Sequence, residues 1–277
     1  GNGYKSLFPE KLNWNRFIET IFFTGKVTRK KSVGAFHSMI YYGFMILLVA
    51  TELVAIHADS PFKVYNGNTY IIISFLADMA GIAIIIGLAM AYKRRYIDKP
   101  EHLSATKPGS EKFMYLMILS LVVVGFLLEG MRILGAGMPA QEALWSPVGY
   151  LTAKLFEMIN LPETTLVMIY KGTWIFHMVN TMVFIASVSH TKFFHIIALP
   201  FSALVTPARQ GAILKPMNFE DETAETFGLG KLSELTTKQR LETLSCVECG
   251  RCTYFLLYTS YTAHHSLRVY PGLRLII

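Results

Sequence analysis

The sequence predicts an all-α integral membrane protein, a transmembrane helical bundle with a small cytoplasmic C-terminal extension. Three observations carry this. Apolar residues make up 52% of the chain and charged residues only 16%, against about 25% charged in soluble domains. Four stretches are long and apolar enough to cross a hydrocarbon layer of about 30 Å, which takes roughly 20 helical residues. Lysines and arginines crowd at one end of these stretches and are nearly missing from the other.

Residues 1–34 read as a basic cytoplasmic lead-in. Segment A then runs from Ala35 to His57, B from Thr69 to Tyr92, C from Lys112 to Leu134, and D from Glu163 to about His190. Each exceeds the minimum span, so some tilt is expected. Lys26, Arg29, Lys30 and Lys31 precede A, and Lys93, Arg94, Arg95 and Lys99 follow B. The A–B loop, Ala58 to Asn68, carries only Lys63. Positive charge stays on the cytoplasmic side, which places there the start of A, the B–C loop and the tail after D. The net charge of +7 is mostly this asymmetry plus attraction to anionic lipid, and calls for no nucleic acid.

Between C and D, Ser146-Pro147 opens a short segment to Asn160. Val148, Leu151, Leu155, Phe156 and Ile159 fall on one helical face, which predicts an interfacial helix on the outer surface. Pro162 then starts D. Beyond His190 the chain stays apolar to Thr206, broken by Pro200, and reads as an interfacial exit that closes a membrane domain at 35–206. From Arg209 the composition turns polar. Residues 207–252 form a cytoplasmic linker, acidic and Gly/Thr-rich, helical around Thr237 to Leu244, leading into a ferredoxin-like region; 253–277 are an atypical tail. No segment has signal-peptide form, and the first residue is glycine rather than methionine, so a missing upstream part is expected.

The chain's three cysteines lie in one run, Cys246-Val-Glu-Cys249-Gly-Arg-Cys252. Thiols at i, i+3 and i+6 turn toward one centre, as in the bacterial C-x2-C-x2-C-x3-C-P run that ligates cubane clusters. They are the candidate ligands of a 4Fe-4S cluster. The fourth ligand would fall at Leu256, with Leu257 in place of proline. The cluster is therefore expected to be incomplete, labile or absent in this chain. Three unrelated cysteines or a zinc knuckle are the alternatives, but zinc sites usually pair two such units and no second unit follows. An odd, tightly spaced set argues against disulfides and suits a reducing compartment.

Five of the eight histidines sit in or beside the apolar segments. An imidazole in lipid is costly and usually has a partner or a task, and neutral imidazole is an axial ligand of haem iron. His37 and His57 stand at the cytoplasmic and outer ends of A; His177 lies inside D, with His190 near its end and His195 five residues on. The first pair is separated by about 30 Å of helix rise, and His177 from His195 by about 27 Å. Antiparallel helices then predict two b-type haems: His37 with His195 on the cytoplasmic side, and His57 with His177 toward the outside. His190 is the alternative cytoplasmic ligand. At about 100° per residue His177 and His195 share a face, whereas His37 and His57 point about 200° apart. Interface histidines satisfied by water or lipid phosphate are the other reading.

A histidine after a basic stretch, Arg29-Lys30-Lys31-Ser32-Val33-Gly34-Ala35-Phe36-His37, resembles the second helix of the nitrate-reductase gamma-type cytochromes b. His177 and His195 resemble that family's fifth helix. Phe227 to Cys252 is similar to the junction in membrane proteins that fuse such a cytochrome to a heterodisulfide-reductase-related iron–sulfur region. That group includes electron-transfer-flavoprotein:menaquinone oxidoreductases. The resemblance covers about residues 20–252. It implies five spans, the first upstream of the four visible here, and two haem b with a 4Fe-4S cluster. It also implies menaquinone or ubiquinone as substrate and a soluble cytoplasmic redox partner such as an electron-transfer flavoprotein. At Thr253 the chain departs from the pattern: it runs to His264-His265 and beyond without the expected Cys-Pro. A truncated or frameshifted gene, or an incompletely determined sequence, would account for this.

Arg132 and Lys171 are candidate contacts for haem propionates or a quinone oxygen; snorkelling or helix–helix pairing is the alternative for each. Glu129 and Arg132, one turn apart, are expected to pair. Asp78 and Glu52 are further charges in the segments, and Gly43, Gly81, Gly87 and Gly125 allow close helix or macrocycle approach. The expected function is a membrane-bound oxidoreductase subunit of a prokaryotic cytoplasmic membrane, carrying electrons between an iron–sulfur or flavoprotein donor and quinone. The alternatives are a quinol-oxidising subunit feeding a cytoplasmic reductase, and a non-redox membrane anchor with a zinc or vestigial cysteine site. Direction of flow is not legible, because potentials depend on axial ligands and burial.

Overall fold

The computed structural model describes residues 12–24, 27–28, 30–61, 63–100, 103, 109–206, 235, 237–247 and 249. His102, Cys252, Leu256, Leu257, His264 and His265 lie outside the described residues, as do all of residues 207–234. The described residues are helical, with no strand among them. Three helices are long and apolar enough to cross a membrane: Lys31–Asp59, Gly67–Asp98 and Glu111–Gly135. A fourth is added if Glu163–Val188 is counted together with Lys192–Leu204. The chain divides into two compact units, residues 27–100 with 107–188, and residues 1–26 with 101–106 and 189–277.

The first of these units holds α2 (Lys31–Asp59), α3 (Gly67–Tyr92), α4 (Gly109–Gly135), α5 (Ala140–Trp145), α6 (Pro147–Ile159) and α7 (Glu163–Val188). Segments A to D are thus α2, α3, α4 and α7, with ends shifted by up to four residues. A turn of π-helix, Lys93–Asp98, extends α3 and is tied to α4 by the Arg95–Glu111 ion pair. Helix α3 is central, touching α2, α4, α5 and α6. It buries Ser74, Asp78, Ala80, Gly81, Ile84, Gly87, Leu88 and Ala91. Ile84, Leu88 and Val122 form the core, packed by Ile40, Leu47 and Phe126.

Large apolar side chains such as Met168, Ile185 and Leu116 face outward while glycine, alanine and serine face inward. Small residues inside and apolar bulk outside is the packing of helices in lipid, where close backbone approach replaces water exclusion as the driving force.

Three of the four sequence-flagged glycines make this approach. A Cβ on Gly43 would lie 2.9 Å from the Ala80 carbonyl oxygen, one on Gly87 2.9 Å from that of Phe36, and one on Gly81 2.4 Å from the Phe126 ring. Gly43→Val is expected to push α2 off α3 and cost about 1–3 kcal/mol, as overpacking does. A lower thermal midpoint in detergent would show it, with Gly135→Ala, which meets nothing within 4 Å, as the unaffected control.

Helix α6 confirms a helix after Ser146-Pro147. Its packed face is Gly149 and Ala153, laid against α4, so Leu151, Leu155, Met158 and Ile159 are left exposed. Pro147 occupies the first turn, where its missing N–H costs nothing, and Asn160 ends the helix in the left-handed region at φ 52°.

The second unit holds α1 (Trp14–Phe23), α8 (His195–Leu204) after a 3-10 turn at Lys192–Phe194, and α9 (Thr237–Leu244). Helix α9 occupies the segment expected from sequence. Helix α1 lies within the stretch read as a lead-in. Its signal was local: the Asn13 side chain caps it by accepting from the Arg16 N–H at 3.0 Å. Both α1 and α9 pack on α8, which buries Ala198, Ser202 and Ala203. Asn13 also donates its backbone N–H to the Leu204 carbonyl at 2.8 Å and its amide to that of Thr206 at 3.1 Å.

Candidate functional site

His195 opens α8 with its Nδ1 2.5 Å from the Lys192 carbonyl oxygen. A carbonyl only accepts, so Nδ1 carries the proton and Nε2 keeps its lone pair. This is the tautomer of an iron-ligating histidine, whose other ring N–H is normally held by a carbonyl or carboxylate. The residues here fit an axial ligand. The 3-10 turn supplies the geometry, because Lys192 sits three residues before the imidazole and Thr191 caps the turn through the Phe193 N–H. The cysteine run belongs to the same unit. Helix α9 packs on α8 and ends at Leu244; Cys246 and Cys249 follow, both free and exposed. Exposed thiols three residues apart, directly beyond a helix end, suit a metal cluster. Among the described residues no group of three or more metal-ligating side chains comes together, and the third thiol of the run, Cys252, lies outside them.

In the other unit, His177 lies midway along α7 and is half-buried, its Nδ1 enclosed with no hydrogen-bond partner. Gly125 of α4 faces it: a Cβ there would stand 3.9 Å from the His177 Cε1, leaving room beside the ring. Asn180 ties α7 to α4 nearby, donating to the Ser120 hydroxyl at 2.8 Å. His37 sits near the start of α2 with its ring roughly parallel to that of Tyr41, 6.4 Å away. His190 is exposed, just past the end of α7.

His57 does not fit the role its spacing assigned. Its Nδ1 accepts the Tyr65 N–H at 3.2 Å, and its own carbonyl accepts from Lys63 Nζ at 2.7 Å. With Nδ1 an acceptor, the neutral ring carries its proton on Nε2, where iron would bind. Level is a second obstacle. Phe44 of α2 meets Phe184 of α7 at 5.6 Å between ring centroids. Counted from that contact, His57 lies six residues, about 9 Å, nearer the α2–α3 connection than His177. By this count the two imidazoles stand at different levels along α2 and α7. His57 instead closes the short connection to α3.

At that same end of the helices is a polar cluster that the sequence only partly disclosed. Arg132 pairs with Glu129, Nε to Oε2 at 2.9 Å and Nη2 to Oε1 at 2.8 Å, as expected. Its Nη2 also reaches the Tyr70 hydroxyl at 2.5 Å and Glu142 Oε1 at 3.3 Å. Tyr70 donates to Glu142 Oε1 at 2.5 Å. Three helix-borne groups from α3, α4 and α5 are thus locked around one guanidinium, which here serves helix pairing. Asp78 of α3 accepts the N–H groups of Val148 at 2.7 Å and Gly149 at 3.4 Å, placing a carboxylate at the positive end of α6. Tyr70 and Glu142 carried no sequence signal, being 72 residues apart and joined only by the fold. Lys171 is exposed on α7, about 12 Å along the helix from Glu163, where a long side chain can snorkel.

No family model and no solved structure matches the chain. Two curated relatives do. One is the EtfAB:quinone oxidoreductase of Syntrophomonas wolfei, 32% identical over 246 residues, which are 86% of this chain and 34% of that protein. Another is the probable iron-sulfur-binding oxidoreductase FadF of Bacillus subtilis, 27% identical over 237 residues, 84% of this chain and 32% of that protein. The chain spans about a third of the length of each. It is homologous, over most of its residues, to a part of each of two oxidoreductases.

Proposed function

We propose that this chain is the membrane electron-transfer part of an oxidoreductase that passes electrons between a soluble flavoprotein or iron–sulfur donor and membrane quinone. The observation that carries it is the His195 tautomer on α8, the helix against which α9 packs as it leads to Cys246 and Cys249. The likeness to a relative named for quinone and electron-transfer flavoprotein supports the two partners, and the three spans with outward apolar bulk support a membrane setting. A b-type haem and an iron–sulfur cluster, when bound, would supply one-electron transfer.

The chain's own residues then have distinct tasks. His195 presents a lone pair held in place by Lys192, and helix polarity in the sequence assigns His37 to the same iron. Cys246, Cys249 and Cys252 offer thiolates to the cluster. His177 stays a candidate ligand, with His57 not its partner in this arrangement. Lys171 and Arg132 stay candidate polar contacts for a quinone or a propionate, Arg132 only if its cluster opens. The side carrying the cysteine run is the cytoplasmic one in this reading, set by the basic flanks of α2 and α3.

The test is a visible spectrum and metal analysis of the purified protein. Dithionite should bring up b-type bands from stoichiometric haem, and a menaquinol analogue should reduce the same bands. Iron and acid-labile sulfide should be low or easily lost, since a stable cubane takes four ligands. A protein produced with ample iron and haem that shows no haem bands overturns the reading.

A further inference from the structure

We infer that α1 and α8 together form a surface-lying membrane anchor, their exposed apolar stripe resting in the headgroup region of an anionic phospholipid bilayer. Helix α1 packs on α8, and its Phe17 and Ile21 are half-buried. Beside that packed face runs a second stripe at i, i+4 and i+8: Trp14, Ile18 and Phe22, which are 57%, 45% and 62% exposed. At about 100° per residue these three follow directly on Phe17 and Ile21 around the helix, while Asn15, Glu19, Arg16 and Thr20 take the remaining arc, interrupted by Phe23. The apolar band is wider than the partner helix covers. Helix α8 packs through Ala198, Ser202 and Ala203 and exposes apolar Ile196, Ile197, Leu199 and Phe201 around the rest of its surface.

Connectivity and charge name the occupant. Phe23 is eight residues from Lys31, where the first candidate span begins. Even a fully extended connection reaches only about 28 Å, so α1 is tethered near the membrane surface. That connection and the span's first residue carry Lys26, Arg29, Lys30 and Lys31, which favour anionic headgroups by about 1 kcal/mol each when near the surface. An aromatic-rich apolar stripe flanked by basic residues is the composition of an interfacial helix.

The inference rests on the membrane reading above, and the chain's three tryptophans separate the two. Trp174 of α7 is 51% exposed, about 16 Å along the helix from Glu163. Single-tryptophan variants, the other two changed to Phe, would be reconstituted in bilayers containing phosphatidylglycerol and phosphatidylcholine brominated either near the headgroup or near the chain end. Trp14 should lose most of its emission to the shallow bromines and resist aqueous iodide. Trp174 should be quenched more by the deep ones. Ile18→Asp/Phe22→Asp in the Trp14 reporter should abolish its quenching without changing helix content. Iodide-accessible Trp14 untouched by bromolipid, with Trp174 still quenched, overturns the anchor and leaves the membrane reading standing. Undiminished Trp14 quenching in the double-Asp variant overturns the proposed stripe. If no bromolipid quenches Trp174, the membrane reading fails and the anchor with it.

Discussion

His195→Ala is expected to remove a b-type haem signal from the reduced protein, while His190→Ala and His57→Ala keep it. The physical reason is one proton. The Lys192 carbonyl holds the His195 proton on Nδ1 and leaves Nε2 able to bind iron. The Tyr65 N–H does the opposite at His57. His190 is exposed beyond α7. Reduced-minus-oxidised spectra with pyridine haemochrome counts on the variants decide it. Loss of a haem in His57→Ala would show that its bond to Tyr65 is exchanged when haem binds. Loss in His190→Ala but not in His195→Ala would move the ligand to the earlier residue.

Arg132→Leu is expected to cost about 3 kcal/mol, the lower edge of what breaking a buried ion pair costs, because the guanidinium is not fully enclosed. Its side chain is 36% exposed and that of Glu142 only 10%. Without the cation, Glu129 and Glu142 face each other with a tyrosine hydroxyl as their remaining donor. Arg132→Leu/Glu142→Leu should recover part of the loss, since removing both members of a pair is far milder than removing one. Tyr70→Phe should cost less than Arg132→Leu, at about 1.5 kcal/mol for hydrogen bonds to charged groups. Thermal unfolding in detergent measures all three. Equal midpoints for wild type and Arg132→Leu would mean that the cluster does not hold α3, α4 and α5 together.

The bundle's elements were legible because their causes are local. A run of about 20 apolar residues has few choices but helix, Pro147 and Pro162 open α6 and α7, and the 237–244 helix follows from its own residues. The pairing of Glu129 with Arg132 was legible for the same reason, as a one-turn spacing. Helix α1 is hidden in the sequence although its cap is local, because its apolar residues lie in a stretch dominated by basic charge.

What the sequence by itself determined is therefore the helical class, the long apolar segments, the cysteine run and the identity of the candidate histidines. The tertiary structure decided the rest. Apolar residues lie all round helix α3, so hydrophobic periodicity does not mark its inner face, and the close approach at Gly81, at Gly87 and against Gly43 of α2 reveals it. The histidines look alike in sequence, yet a carbonyl beside His195 and an N–H beside His57 give them opposite tautomers. Arg132 reads as the partner of Glu129 alone until Tyr70 and Glu142 converge on it from other helices. Each depends on groups brought together by hydrogen bonds and close helix contacts, whose geometry exists only after the chain has folded.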